Sequence, residues 1–230
     1  MQLFGRGFMI TFTEVPADLE ADFHEWYNRE HLDERLDLPG FRRARRYESL
    51  DGPIRYVTTY ECGGPDDIGS PAYLDVLARQ TEWSARIMPR FAKWHRLTGR
   101  VVVDETHGFG GAIAMLRMRP PPGQAQEMAR WLARGVLGSV TSLPGIVGAC
   151  AVAGDPAADA RLARAFGQEP DTAQPPEWAI LIEGMDPETV REAAYEGLRH
   201  IDGFAGDGVV SREMCRFLYG NQRLDESTRA

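Results

Sequence analysis

An α+β fold of two tandem βαββαβ units, each with an antiparallel sheet, is predicted by three features of the sequence. Short segments with two-residue alternation and longer ones with helical spacing follow one another in the order β-α-β-β-α-β, and this order is read twice. A Leu-Pro-Gly turn follows the first helix of each unit, Leu38-Pro39-Gly40 and then Leu143-Pro144-Gly145, 143 − 38 = 105 residues later. A chain of 230 residues is long enough to bury the core that two such small units need.

The first strand is Phe8 to Val15, rich in β-branched and aromatic residues. Pro16 ends it, and Asp18 is placed to cap a helix running to about Arg35. After the first Leu-Pro-Gly, Phe41 to Ser49 and Ile54 to Cys62 form a hairpin across the Leu50-Asp51-Gly52-Pro53 turn. Helical spacing returns at Tyr73, Leu74, Val76 and Leu77 and continues through Trp83, Ile87, Phe91 and Trp94, divided at Pro89. Val101 to Val103 closes this unit, which has the ferredoxin-like order. In the second unit Ala112 to Met118 is a strand and Gln124 to Leu137 a helix. Ile146 to Ala153 pairs with Trp178 to Glu183, across an inserted loop at 155–176 with one short helix at Arg161 to Phe166. Asp186-Pro187-Glu188 opens a helix reaching about Ile201, and Val209 to Leu218 is the last strand. The chain thus divides into a first unit over 1–107, a degenerate second unit over 108–220 and a tail over 221–230.

Composition narrows the function classes. A hydrophobic fraction of 43%, 26% charged residues and a net charge of −8 fit a soluble globular protein, and the negative balance excludes nucleic acid and anionic membrane as main partners. No apolar run approaches the ~18 residues of a membrane span, and the start of the chain lacks a signal peptide. Three scattered cysteines, Cys62, Cys150 and Cys215, fit a reducing, cytoplasmic location. Nucleotide-binding glycine motifs, a nucleophile elbow and a His-Glu-x-x-His pair are absent.

The first helix carries the candidate chemistry. With Leu19 at zero on a regular wheel, Trp26, Glu30, Phe23, Glu34 and Tyr27 fall at roughly −20°, 20°, 40°, 60° and 80°, with His31 near 120° at the edge of the stripe. A carboxylate amid aromatic residues must be paired, protonated or set beside a pocket, and a neighbouring imidazole then shares its proton. Glu30 and His31 are therefore candidate acid–base residues. The alternative is structural: Glu30 pairs with one of Arg42, Arg43, Arg45 or Arg46, and His31 caps the helix. Alternation places Phe41, Arg43, Arg45 and Tyr47 on one face of the next strand and Arg42, Ala44 and Arg46 on the other. One of these arginines is a candidate anion holder, and Tyr56, Thr58 and Tyr60 across the hairpin are candidate cavity hydroxyls. His24 and His31 are two turns apart, about 10 Å, too far to share one metal ion. His95, His107 and His200 have no partner spacing; a lone helix histidine such as His200 suits only haem ligation.

Trp26-Tyr27-Asn28-Arg29-Glu30-His31, Leu38-Pro39-Gly40-Phe41 and Ala44-Arg45-Arg46-Tyr47 resemble the EthD-like group of the dimeric α/β-barrel superfamily, as do Ser70 to Leu74 and Thr81 to Arg86. The resemblance covers roughly residues 8–104; the helix from Gln124 lacks the Trp-Tyr-Asn-x-Glu-His pattern. It implies a barrel closed within one chain as a pseudo-dimer, with a pocket between sheet and helices in the first half. Members of the superfamily include isomerases, polyketide cyclases, monooxygenases and haem enzymes. The expectation is a cofactor-independent isomerase, cyclase or lyase acting on a small cyclic or aromatic, oxygenated metabolite. His31 moves the proton, Glu30 assists, Arg46 or Tyr47 stabilises an oxyanion, and Trp26, Tyr27 and Tyr60 complete the substrate site. A haem or oxygen-using enzyme and a non-catalytic binding or stress-response protein are the alternatives. A homodimer of the whole chain is a further expectation.

Overall fold

The computed structural model describes residues 3–165, 167–169, 174–198 and 208–223. Its eight strands are β1 (Gly7–Glu14), β2 (Phe41–Ser49), β3 (Tyr56–Cys62), β4 (Lys93–Asp104), β5 (Ala112–Met118), β6 (Ile146–Gly154), β7 (Trp178–Gly184) and β8 (Val209–Gln222). They close a barrel in the order β1-β3-β2-β8-β5-β7-β6-β4, with every neighbouring pair antiparallel. Each half gives a four-stranded ferredoxin-like sheet, and the long strands β4 and β8 reach across to β6 and β2 of the opposite half. Closure removes the free sheet edges that either half alone exposes.

Both Leu-Pro-Gly turns do the same local work. Gly40 and Gly145 have φ of +89° and +79°, a left-handed conformation that glycine takes without strain. A Cβ on Gly40 would meet the Asp67 carboxylate and one on Gly145 the Thr189 methyl, so each turn also needs the missing side chain.

Helices cover the outer face of both sheets. In the first half these are α1 (Glu20–Trp26), α2 (Leu32–Leu36), α3 (Pro71–Ala78) and α4 (Glu82–Ile87); in the second, α5 (Ala125–Trp131), α6 (Leu137–Thr141), α7 (Pro156–Ala165) and α8 (Pro187–Leu198). One apolar layer lies under each helical coat, and a third fills the barrel with Phe8, Ile10, Phe12, Val57, Leu97 and Leu181 among others. The barrel core also holds ions. Arg45 donates to Glu183 at 2.6 Å and lies 3.5 Å from Glu61, which accepts from Arg43 at 2.6 Å. Toward the opposite end of β5, Arg117 bonds Glu177 at 2.6 Å and lies 3.6 Å from Glu213.

Several expectations are corrected. Leu19, not Asp18, precedes the first helical residue, because Asp18 is engaged by Arg90 at 2.6 Å. Trp94 belongs to β4, opposite Thr13, since Pro89 turns the chain out of the helix at Met88–Arg90. The short helix expected at Arg161 to Phe166 within the 155–176 loop starts earlier, as the ten-residue α7 from Pro156, and its Leu162 packs into the first half's apolar layer. A bulge between Phe41 and Arg43 turns Phe41 to the helix side, where it stacks on Tyr73, leaving Arg43, Arg45 and Tyr47 inside the barrel. The helix from Ala125 is broken by a kink at Arg134–Gly135, after which α6 carries on to Thr141, past the expected end at Leu137, and β8 runs on to Gln222. Phe166, the helix end expected near Ile201, His200 and the tail after Arg223 lie outside the described residues.

The barrel ions give a direct test. Arg45→Met strands the buried Glu183 carboxylate and should cost about 3–5 kcal/mol in urea unfolding, while Arg45→Met with Glu183→Gln should recover more than half of it. Equal losses in the two variants would remove the pair from the account.

Candidate functional site

The first helical stretch, 20–36, is interrupted by one π turn over Tyr27–His31. There the Leu32 N–H bonds the Tyr27 carbonyl, five residues back instead of four. One extra residue in a turn sets everything after it back by about one position, roughly 100°. His31 therefore takes the wheel position that a regular helix gives Glu30, and Arg35 swings inward behind it. The ring of His31 packs on Trp26, five residues earlier, with centroids 4.1 Å apart, and edge-on to Tyr27 at 5.0 Å.

Glu30 is displaced from the aromatic stripe. It is half-buried and accepts from the Thr81 hydroxyl at 2.6 Å and the Ser84 hydroxyl at 3.5 Å. Thr81 caps α4 through the Ser84 N–H, and Ser84 accepts from the Trp26 indole at 3.1 Å. Glu30 thus fixes α4 and, through Ser84, the indole on which His31 rests. The expected Glu30–His31 couple is not formed. Among the described residues the carboxylate recorded nearest His31 is Glu34, 3.8 Å from Nδ1 and 3.4 Å from Arg35.

His31, Trp26, Tyr27 and Tyr60 line one cavity of about 390 Å³ between the sheet and the helices. Arg35 and Tyr73 complete its inner wall; Phe91, Trp94 and Arg96 stand toward solvent, Trp94 being 49% exposed. Gln168, just after α7, brings the second half to the rim. The polar atoms are unevenly satisfied. Thr11 Oγ1 and His31 Nδ1 are buried without a hydrogen-bond partner, and Arg35 Nη1 has only its 3.4 Å ion pair to Glu34. His31 is 7% exposed, and burial, reinforced by Arg35 and then Arg46, holds its pKa well below the ordinary imidazole value. Burial first, with Tyr27 beside it, keeps the Tyr60 hydroxyl protonated far above its usual range. Burial also raises the Glu34 carboxyl, against the pull of Arg35.

Two expected site residues lie elsewhere. Arg46 points to the helix but away from the cavity, donating to Asn28 at 2.8 Å, lying 3.2 Å from His24 Nδ1 and covering the Tyr27 ring at 4.1 Å. Tyr47 lies inside the barrel, its hydroxyl buried without a partner. The sequence reading missed Thr11, Arg35 and Tyr73. Alternation along β1 places Thr11 on the face of Met9 and so signals it; Arg35, near 160° on a regular wheel, carries no such signal.

No protein-family model matches the chain, and no curated protein matches it. Solved structures do. The chain is similar to an anthrone oxidase-like protein with TM-score 0.67 and 9% identity, over 96% of this chain and 93% of that one. A proposed monooxygenase from Lactobacillus acidophilus NCFM matches with TM-score 0.58 and 10% identity over 94% and 96%, and a proposed chlorite dismutase with 0.52 and 12% over 94% and 96%. The chain has the dimeric α/β-barrel fold. At such identities the likeness is one of architecture, and the cavity sits where that barrel packs its outer helices on its sheet.

The depressed histidine makes the protein less stable as pH falls below the ordinary imidazole range. Above pH 6.5 His31 is neutral folded and unfolded and is silent; below it the unfolded chain takes a proton that the folded chain refuses, so stability falls as pH falls. His31→Gln should flatten the loss of Tm between neutral and acidic buffer, leaving the smaller share of His24, whose pKa burial and Arg46 also lower. An unaltered acid slope in that variant would show that His31 is not buried as a neutral group.

Proposed function

We propose that this chain is a cofactor-independent enzyme that moves a proton on a small aromatic, oxygen-bearing molecule, with His31 as the base. One observation carries the reading: a neutral imidazole with an unbonded Nδ1 lines a cavity otherwise walled by aromatic rings. A low pKa keeps the ring unprotonated and ready to accept at neutral pH. A flat ring is held against Trp26, Tyr27 and Tyr73. His31 takes a proton from an acidic C–H or phenolic O–H. The charge left on oxygen is met by Arg35, whose Nη1 is held only by its 3.4 Å ion pair to Glu34, and by the protonated Tyr60 hydroxyl, which take the part expected of Arg46 and Tyr47. Glu34 and Arg35 set the field at the base, and Glu30 holds Trp26 in place through Ser84.

Return of the proton to another carbon is isomerisation, attack on an internal carbonyl is cyclisation, and expulsion of a β-group is lyase chemistry. A second fate is favoured by the likeness to an anthrone oxidase-like protein and a proposed monooxygenase. The carbanion passes electrons to dioxygen, so that a methylene and O2 give a carbonyl and water. Both fates share the His31 step. Haem fits these residues poorly: the His31 ring is packed against Trp26, tilted by 32° at 4.1 Å, its Nδ1 is buried, and two guanidiniums bear on it.

Anthrone, a flat ketone with an acidic methylene, serves as the probe. Wild type in D2O should exchange that methylene faster than buffer, and His31→Gln should lower kcat/KM for exchange by about 10²–10⁴-fold. Exchange undiminished in the variant would take His31 out of the mechanism, and an oxygen electrode separates the two fates. In a parallel titration hemin should give no stoichiometric Soret shift; a saturable shift lost in His31→Ala would replace this reading with a haem one.

A further inference from the structure

A second hollow of about 370 Å³ opens at one end of the barrel, between β2, the segment before β5, and β8. It shares no residue with the His31 cavity. Arg43 and Arg45 line it, with Phe109, Gly110, Phe217 and Gly220. Both guanidiniums are withdrawn from solvent, 3% and 6% exposed, yet neither is fully used. Arg43 gives Nε to Glu61 and sets Nη2 2.5 Å from the same oxygen, while its Nη1 has no hydrogen-bond partner. Arg45 gives Nη1 to Glu183, and its Nε has no partner.

The carboxylates are already engaged, since Glu61 also accepts from the Phe4 N–H and Glu183 from the Gly110 N–H. What is unmet at this end is therefore donor capacity on buried cations, and the complementary group is an anionic acceptor. The ring faces define the rest of the ligand. Phe4 and Phe109 lie over the Arg43 guanidinium at 4.7 and 4.0 Å, which leaves its in-plane edge for bonding. Gly220 keeps the floor low; a Cβ there would lie 3.2 Å from the Arg45 side chain and 3.3 Å from the Phe217 ring. Glu61 and Glu183 already balance the charge of the two arginines, so what the site offers is unused N–H donors and not excess positive charge, and a polyanion would bring uncompensated charge into it.

We propose that this barrel end is a second ligand site, taking a compact aromatic or conjugated monocarboxylate whose carboxylate bonds Arg43 and Arg45 while its flat body lies between Phe109 and Phe217. It stands apart from the His31 reaction. Sodium benzoate is the probe, followed by calorimetry and by the arginine Nε–H resonances. Benzoate should bind one to one at concentrations up to about 1 mM and shift the Arg45 Nε–H signal. Phe109→Ala, an exposed position that leaves Tm unchanged, should weaken binding at least about tenfold, and Trp94→Ala in the other cavity should leave it as it is. Benzamide, isosteric and uncharged, should not bind. Absence of benzoate binding, equal binding of benzamide, or loss in Trp94→Ala with retention in Phe109→Ala would each overturn the proposal.

Discussion

A single longer hydrogen bond, from the Leu32 N–H to the Tyr27 carbonyl, governs what the cavity contains. A π turn is less favourable than the α turn it replaces and persists where packing on both sides demands it. Here Trp26 and Tyr27 before it and Leu32 and Leu36 after it are all buried in one apolar layer. A regular helix through the same residues would turn Glu30 into that layer and His31 toward its edge. The extra residue exchanges them, and the carboxylate that would be costly inside is placed on two hydroxyls instead. The second half breaks its helix at the same interval but in a different way: Leu132–Val136 corresponds to Tyr27–His31, 132 − 27 = 105 residues on, and there Arg134 and Gly135 leave helical geometry, Gly135 at φ +115°. At that offset Val136 stands for His31 and Val140 for Arg35. Where the first half inserts a π turn the second has a kink, and it carries none of the chemistry.

The barrel and the cavity make opposite use of ionisable groups, and β2 divides them. Its alternation after the bulge sends Arg43 and Arg45 inward and Arg46 outward. The inward pair is matched by Glu61 and Glu183 from β3 and β7, so strands from both halves are tied through charges that an apolar core would not orient. Among the described residues Arg46 has no carboxylate partner; it covers Tyr27 and Phe23 and bonds Asn28, which stiffens the helix on the side away from the cavity. A stiff outer helix on a closed sheet keeps the hollow open, since neither wall can collapse into it.

The element order, the hairpin and the two Leu-Pro-Gly turns were legible because alternation, glycine and proline act locally. Closure of the barrel within one chain was what the resemblance to the dimeric α/β-barrel superfamily implied. Four of the seven residues expected at the site, His31, Trp26, Tyr27 and Tyr60, do line the cavity, because strand alternation and the aromatic stripe survive small errors of angle. Glu30 and Arg35 were misplaced for one reason: a regular wheel cannot carry an inserted residue, and nothing in Trp26-Tyr27-Asn28-Arg29-Glu30-His31 announces one. The position of Phe41 failed for the equivalent reason in a strand, a bulge at Arg42. The helix α7 was read only in its second half, and its start at Pro156 was hidden in an Ala- and Asp-rich stretch because its support is tertiary, with Leu162 buried against the first half and Arg161 bonded to the carbonyls of Pro65 and Ile68.

The imidazole at the centre of the cavity is oriented by stacking and not by a hydrogen bond, and this difference decides what it can do. A histidine whose Nδ1 is held by a carboxylate has its tautomer fixed and gains basicity. His31 has Glu34 only within 3.8 Å, beyond hydrogen-bond reach, and Glu34 itself leans toward Arg35. Its ring angle comes from Trp26, whose indole is tied through Ser84 to Glu30. Orientation is thus supplied by a chain of contacts that leaves Nδ1 unoccupied. Burial and Arg35 lower the basicity that a carboxylate partner would raise, so the reaction proposed above calls for protons already acidic, such as those of phenols and of methylenes flanked by carbonyl-bearing rings. In that proposal the aromatic walls that desolvate the base also exclude water from the charge it would create, and Arg35 and Tyr60 are the groups assigned to meet it.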